Sequence, residues 1–375
     1  MLAPKDFYDA LTEAGISLFA GVPDSLLKDI CAYVTDHTPP ERNVITANEG
    51  NAVALAMGHY LATGKPGLVY MQNSGLGNTV NPLTSLADPA VYGIPMLLVV
   101  GWRGRPGEHD EPQHVKMGAV TLETLAAVGV PATVLPDTID EARAALKAAL
   151  ADAVSRSAPH ALVVKKGTFD AYKLQKDEAP PYEMTRERAI ERVVAALPKT
   201  AAVVATTGMP SRELFETRER RKEPHASDLL TVGGMGHASL IALGVALEQP
   251  SRPVYCLDGD GAVLMHMGAL ATIAQLRPKG FKHVVLNNGA HDSVGGQPTV
   301  AFAVDLCAVA RAAGYAKATM VSTEAELDAA LADLAKSDGP SLLEVRVKKG
   351  SRKDLGRPTQ TPQDLKRDFS GFLRG

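Results

Sequence analysis

Two runs of the same rhythm constrain this chain most. Short, unbroken apolar segments alternate with amphipathic ones, and the pattern occurs once on each side of a polar Pro-Pro stretch. In the first half the candidate strands are Ser17–Ala20, Asn43–Thr46, Gly67–Met71, Pro95–Val100 and Ala161–Val164, and helical patterns cover Leu2–Ala14, Asn51–Ala62 and Ile139–Ser155. In the second half the strands are Ala201–Ala205, Leu229–Val232, Val254–Leu257, His283–Leu286 and Leu342–Val347. Glu324–Ala335 reads as a helix before the last of these, and Gln363–Phe372 as a short helix in the polar tail. Several strands lack alternation, as strands covered on both faces do, and a strand–helix order with covered strands is the signature of a parallel α/β sheet. Residues 173–184, Lys-Leu-Gln-Lys-Asp-Glu-Ala-Pro-Pro-Tyr-Glu-Met, read as a linker, after which Thr185 is placed to N-cap a helix through Ala196. The expected organisation is α/β, with two domains, 1–172 and 185–375, each a mostly parallel sheet flanked by helices.

Composition narrows the function classes. A formal net charge of −3 gives no basic field for nucleic acid. Three scattered cysteines, Cys31, Cys256 and Cys307, suit neither a disulfide framework nor a Cys-rich zinc site and point to a reduced, cytoplasmic setting. No leader pattern opens the sequence, and no apolar run approaches the ~18 residues of a membrane span. The halves also echo one another. Asn48–Gly58 and Gly234–Gly244 are both small-residue helices entered from a turn, suited to close packing, including packing between subunits.

The sharpest motif is Tyr255-Cys-Leu-Asp-Gly-Asp-Gly-Ala262, a strand running into Gly259-Asp260-Gly261. The glycines permit a tight turn and close approach of a ligand to backbone. An aspartate there repels a phosphate unless a divalent cation lies between them, and Mg²⁺ typically takes one or two carboxylates plus phosphate oxygens. Alone, the motif is compatible with a plain turn. After 25 intervening residues come Asn287-Asn288-Gly289 at another strand end, where an amide oxygen can complete a metal shell at the same carboxyl edge. Gly233-Gly234-Met235-Gly236 and Thr206-Thr207-Gly208 follow strands of the same half. In the first half Glu49 stands between a strand and an apolar helix, a position that by itself suits a helix N-terminal charge.

Together, Leu243 through Gly259-Asp260-Gly261-Ala262 and Asn287-Asn288 resemble the signature of the thiamine diphosphate-dependent decarboxylase superfamily. The resemblance implies that Asp260, the Asn288 side chain and the Ala290 carbonyl hold Mg²⁺, with Asn287 the alternative to Asn288. It implies that the diphosphate sits at Gly261 and Ala262 with donors at Thr207 and Gly208. It places the Gly233 carbonyl at the aminopyrimidine and Met235 beneath the bent coenzyme, and it makes Glu49 the activating acid on the pyrimidine ring. Typical members carry a third, central domain, for which the linker here leaves no room. With Gly21-Val-Pro-Asp-Ser25, Gln72–Asn78, Trp102–His114 and His291–Gln297 the chain is similar to the phosphonopyruvate and sulfopyruvate decarboxylase group.

That resemblance implies non-oxidative decarboxylation of 3-phosphonopyruvate to phosphonoacetaldehyde and CO₂, through a ylide and an enamine on the coenzyme. Ser25, Asn73, Ser74, Asn78, Arg103, Arg105, His109 and His291 are the candidates for the substrate, with Asp24 and His114 as further catalytic candidates. Residues 102–116 read as a loop with balanced charge, so internal ion pairing competes with anion binding there. The tail Ser351–Arg357 reads as a solvated segment, or as a cover over the phosphonate. Sulfopyruvate decarboxylation, another 2-oxo acid decarboxylase or carboligase, and a non-catalytic cofactor-fold subunit are the alternatives. Because sulfopyruvate enzymes often divide the halves between two chains, fusion favours phosphonopyruvate. The superfamily pattern implies at least a homodimer with the active site between chains.

Overall fold

The computed structural model describes residues 1–176 and 180–375. The chain divides into two compact units: Met1–Asp177 with Ser293–Gln297, and Glu178–Asp292 with Pro298–Gly375. The short segment 293–297 therefore groups with the first unit, where the Gln297 amide reaches the Lys28 carbonyl at 3.5 Å. Of the expected linker, residues 177–179 lie outside the described residues. Its start is held to the first unit, because Asp36 accepts from the backbone N–H groups of Gln175 and Lys176, both at 2.8 Å.

The first unit holds a six-stranded parallel sheet built from β1 (Phe19–Gly21), β2 (Asn43–Ile45), β3 (Leu68–Gln72), β4 (Leu97–Gly101), β5 (Ala132–Val134) and β6 (His160–Val164), in the order β2-β1-β3-β4-β6-β5. Side chains alternate between its faces. Phe19, Leu68, Tyr70, Leu97, Val99 and Leu162 join one buried cluster, and Ala20, Val69, Met71, Leu98, Val100 and Ala161 join the other. That two-sided burial is why the sequence shows unbroken apolar runs.

The second unit holds β7 (Ala202–Ala205), β8 (Asp228–Leu230), β9 (Val254–Gly259), β10 (Phe281–Asn287), β11 (Lys317–Val321) and β12 (Ser341–Arg346), in the order β11-β12-β10-β9-β7-β8. Read from its other edge this is the order of the first sheet, so the two units share one topology. The echo helices occupy equivalent places: Glu49–Thr63 follows β2, and Ala238–Glu248 follows β8. Each buries one face, through Ala52, Val53 and Ala56 or through Ala238, Ala242 and Leu243. Each also leaves apolar residues exposed, Leu55 and Leu61 or Leu240, Ile241 and Leu247.

The sequence reading missed β5 and β11. Both are edge strands with half-exposed faces, so neither carries a continuous apolar run. Among the helices it also missed are Lys28–His37, Pro112–Ala127, Met209–Arg221, Ala269–Leu276 and Leu306–Ala313. The expected 102–116 loop ends at Glu111, and His114 and Lys116 belong to the first turns of a helix. The tail Ser351–Arg357 is largely exposed, as a solvated segment is, and is tied down at two points: Arg352 pairs with Glu187 at 3.1 Å and with Glu216, and Gly356 N–H donates to Glu216 at 2.5 Å. All three cysteines are free and buried. No helix among the described residues is long and apolar enough to cross a membrane.

Candidate active site

Because every pairing in both sheets is parallel, each sheet gathers the residues that follow its strands at one edge. At the edge of the first sheet, Glu49 opens the helix after β2, and the Asn48 side chain caps that helix by accepting from Gly50 N–H at 2.7 Å. The Glu49 carboxylate is buried and accepts from Asn78 Nδ2 at 2.7 Å. It lies against the backbone of Gly75, where a Cβ would come within 2.4 Å of Glu49 Oε1. Burial pushes its carboxyl above the ordinary range, partly offset by the Asn78 hydrogen bond.

Asp24, after β1, is fully buried. It accepts from Gln72 Nε2 at 2.6 Å and from Leu26 N–H at 2.9 Å, and Ser74 Oγ donates to Gln72 Oε1 at 2.6 Å. Burial raises its carboxyl too, against those hydrogen bonds. Arg103, after β4, is gripped by Asp110 through Nε at 2.7 Å and through a second nitrogen, and its Nη1 donates to Ser25 Oγ at 2.7 Å. Asn73 is buried and spends its amide on scaffolding, donating to Arg103 O at 2.8 Å and Thr121 Oγ1 at 2.9 Å and accepting from Arg103 N–H at 3.2 Å. Asn73 thus holds the loop, and Asn78 serves Glu49. Asn73 spends both ends of its amide this way, whereas Asn78 gives one N–H to Glu49. Arg105 pairs with Glu108 at 3.1 Å and stacks over Trp102, while His109 is exposed.

His114 is buried, and its Nδ1 finds no hydrogen-bond partner among the described residues. Burial and the nearby Arg103 charge lower the imidazolium to about 4. At neutral pH the ring is therefore uncharged, and the cation beside it is Arg103, itself paired with Asp110.

At the edge of the second sheet, β9 and β10 run in register, with Leu286 beside Gly259, so both chains leave the sheet at one level. Asp260 is buried and accepts from Thr299 Oγ1 at 2.5 Å, and burial pushes its carboxyl up to about 6. The two asparagines part company. Asn287 donates to Glu344 Oε1 on β12 at 2.9 Å, whereas Asn288 donates to Asp292 Oδ2 at 2.6 Å and accepts from Ala290 N–H at 3.1 Å. Two residues before Asp260, Asp258 is buried between His283 Nε2 at 3.2 Å and Gly259 N–H at 3.0 Å and braces the turn from below.

Gly261 faces Met235 and His291. A Cβ at Gly261 would lie 3.3 Å from the Met235 methyl and 3.2 Å from His291 Cε1. Burial lowers the His291 imidazolium to about 4. Thr207 Oγ1 donates to Val232 O at 2.9 Å and ties the ends of β7 and β8 together beside Gly233. Gly208, at φ +95°, caps the helix Met209–Arg221 in a conformation that favours glycine.

The donors expected at this edge are all oxygen: the Asp260 carboxylate, the Asn288 amide carbonyl, which also accepts from Ala290 N–H, and the Ala290 backbone carbonyl. Hard oxygen donors suit Mg²⁺, and a buried carboxyl held above its ordinary range suits a cation as its missing counter-charge. The side-chain-free surface at Gly261, flanked by Met235 and His291, suits a ligand in close contact with backbone. The residues therefore fit Mg²⁺ and a diphosphate. Sequence reasoning missed Gln72, Asp110, Thr121, Asp258, Asp292 and Thr299, which hold the candidates in place. Gln72, Asp110, Asp258 and Asp292 all stand inside motifs it had singled out; Asp110 and Asp292 pair locally with Arg103 and Asn288, whereas Gln72 with Asp24, Asp258 with His283 and Asp292 with Arg186 pair between segments distant in sequence.

Comparison with known proteins matches both units. Residues 2–124 match the thiamine pyrophosphate enzyme N-terminal TPP binding domain, and residues 206–345 match the C-terminal TPP binding domain. A phosphonopyruvate decarboxylase of Streptomyces viridochromogenes is 40% identical across 100% of this chain and 95% of its own. One from Streptomyces hygroscopicus is also 40% identical, across 99% and 94%. A sulfopyruvate decarboxylase of Methanosarcina acetivorans is 29% identical across 97% and 96%. The fold is that of a two-domain thiamine diphosphate enzyme, and the chain belongs to the phosphonopyruvate decarboxylase family. The Methanosarcina protein carries both halves in one chain, so fusion does not separate the two substrates as expected. The difference in identity is what favours phosphonopyruvate.

Proposed function

We propose that this chain decarboxylates 3-phosphonopyruvate, releasing CO₂ and phosphonoacetaldehyde, with thiamine diphosphate and Mg²⁺. Full-length identity of 40% to two phosphonopyruvate decarboxylases carries the reading. When bound, the coenzyme supplies the electron sink that a 2-oxo acid needs to lose its carboxylate. Asp260, Asn288 and the Ala290 carbonyl would hold the metal, Gly261, Ala262, Thr207 and Gly208 the diphosphate, and Gly233 and Met235 the pyrimidine side. Glu49 is assigned to proton exchange with the pyrimidine ring, a role suited to a desolvated acid. Ser25, Arg103 and His114 are the substrate-facing set, with Asp24 held behind them by Gln72. Asn73 supports Arg103. Ser74, Arg105 and His109 flank the same edge, and His291 flanks Gly261.

The two echo helices, with their exposed apolar faces, support a homodimer or higher homo-oligomer as the working form.

Offered phosphonopyruvate, sulfopyruvate and pyruvate separately, with both cofactors, the purified protein is expected to release CO₂ fastest from phosphonopyruvate. Preference for sulfopyruvate or pyruvate would overturn the substrate and leave the cofactors standing. Two glycines test the Glu49 assignment. Gly75→Ala forces the carboxylate to move and should lower turnover by roughly 10²-fold, as displacements near 1 Å do. Gly77→Ala, where the added methyl meets open space, should leave turnover within about twofold. Equal rates for the two variants would remove the backbone contact from the argument.

A further inference from the structure

An asparagine offers a cation only one end of its amide. The two ends are nearly the same size, so the choice between them must come from a partner. Asn288 has a partner at each end: Asp292 Oδ2 accepts Asn288 Nδ2 at 2.6 Å, and Ala290 N–H donates to Oδ1 at 3.1 Å, a weaker contact that leaves Oδ1 its second lone pair. An ionised carboxylate only accepts, so it draws in the NH₂ end and turns Oδ1 the other way.

Asp292 is itself held from two sides. Arg186, buried at the start of the helix Arg186–Ala196, donates to it through Nη1 at 2.9 Å, and Gly350 N–H donates at 3.0 Å. The rest of the Arg186 guanidinium is taken by buried Glu213, at 2.8 Å and 3.1 Å. Strands and helices far apart in sequence thus converge on one amide. With Asp260, this cluster holds three carboxylates against one guanidinium. Two negative charges remain when all are ionised, which a divalent ion neutralises.

We infer that Asp292, backed by Arg186, is a positioning residue for Mg²⁺: it fixes the Asn288 amide with its oxygen turned to the metal. The inference rests on Asn288 being a metal ligand. Partners of this kind around a metal site typically contribute 10–100-fold in affinity.

The test is Mg²⁺ titration of the full chain with thiamine diphosphate present, read by calorimetry and by the melting temperature, beside turnover at saturating Mg²⁺. Asp292→Ala removes the acceptor, which Asp292→Asn would keep as an amide oxygen, and should weaken Mg²⁺ binding about 10–100-fold, with saturated turnover within about threefold of the parent. Adding Asn288→Asp to that variant places a group with two equivalent oxygens at 288, which needs no orienting partner. Mg²⁺ affinity should then return to within about threefold of the parent. A role confined to holding Arg186 and Gly350 would not be rescued this way. Unchanged affinity in Asp292→Ala, or no recovery in the double variant, overturns the inference. If Asp292→Ala does not fold, the double variant decides alone by the same threshold. Asn288→Ala separates the two readings: if it keeps Mg²⁺ affinity, the ligand assignment fails, and if it alone loses affinity, only the positioning role fails.

Discussion

Glu49→Gln is expected to lower turnover by about 10²- to 10⁴-fold while binding of thiamine diphosphate stays within a few-fold, the range expected when a positioned acid–base group is lost. The same change should stabilise the cofactor-free protein at neutral pH. Burial holds the Glu49 carboxyl above its ordinary value of 4.5. A carboxyl raised by folding favours the folded state fully below its unfolded value, and that contribution is lost as pH rises through the folded value. Above that folded value the wild-type protein carries a buried charge that glutamine does not, while glutamine can still accept from Asn78. A melting temperature about 1–3 °C above wild type is the expected size for a change near 1 kcal/mol in a chain of this length. The gap should close as pH falls toward 4.5. Near-normal turnover would remove Glu49 from its assigned role, and a lower melting temperature at pH 7.5 would contradict the burial cost.

The sequence carried those parts of the fold that follow from burial on both faces. The apolar runs at Leu97–Val100, Ala161–Val164 and Val254–Leu257 each became a central strand, because only a covered parallel sheet calls for them. Of the four edge strands, Ala132–Val134 and Lys317–Val321 were illegible, since an exposed side removes the apolar run, whereas those at Asn43–Ile45 and Asp228–Leu230 were read. The helix Met209–Arg221 was illegible for a related reason. Its charges run round most of its circumference and pair at long range, as Arg218 does with Asp228 at 2.8 Å. At the site, turn chemistry was readable, because Gly259-Asp260-Gly261 and Asn287-Asn288 are local patterns. Which asparagine faces which neighbour was not. Glu344, partner of Asn287, lies 57 residues away on β12 and is brought there by the register of β10 against β12, whereas Asp292, partner of Asn288, follows four residues later in the same segment. Asn73 and Asn78 carry the same lesson. Their type and place at a strand end suggested substrate contact, and their partners Arg103 and Glu49 could be named only from the fold.

Asp260→Asn should cost the protein its response to cofactor. With Mg²⁺ and thiamine diphosphate at about 100 times their dissociation constants, a ligand that binds only the folded state stabilises it by about 2.7 kcal/mol. In the variant that increment should be near zero, and turnover should fall to background. The physical reason is the position of the carboxylate. It sits buried at the end of β9, has the neutral Thr299 hydroxyl as a partner at 2.5 Å, and is pushed up to about 6 by desolvation. A cation relieves that desolvation and an amide cannot. Cation and proton compete for the carboxylate, so the wild-type increment should shrink as pH falls below about 6. Without cofactor the variant should melt no lower than wild type, since the amide keeps an acceptor for Thr299 and removes a buried charge. Differential scanning calorimetry with and without the two ligands, at pH 7.5 and pH 5.5, reads all of these at once. A variant that keeps the full ligand-dependent rise would place the metal elsewhere and would remove Asn288 and Ala290 from its shell as well.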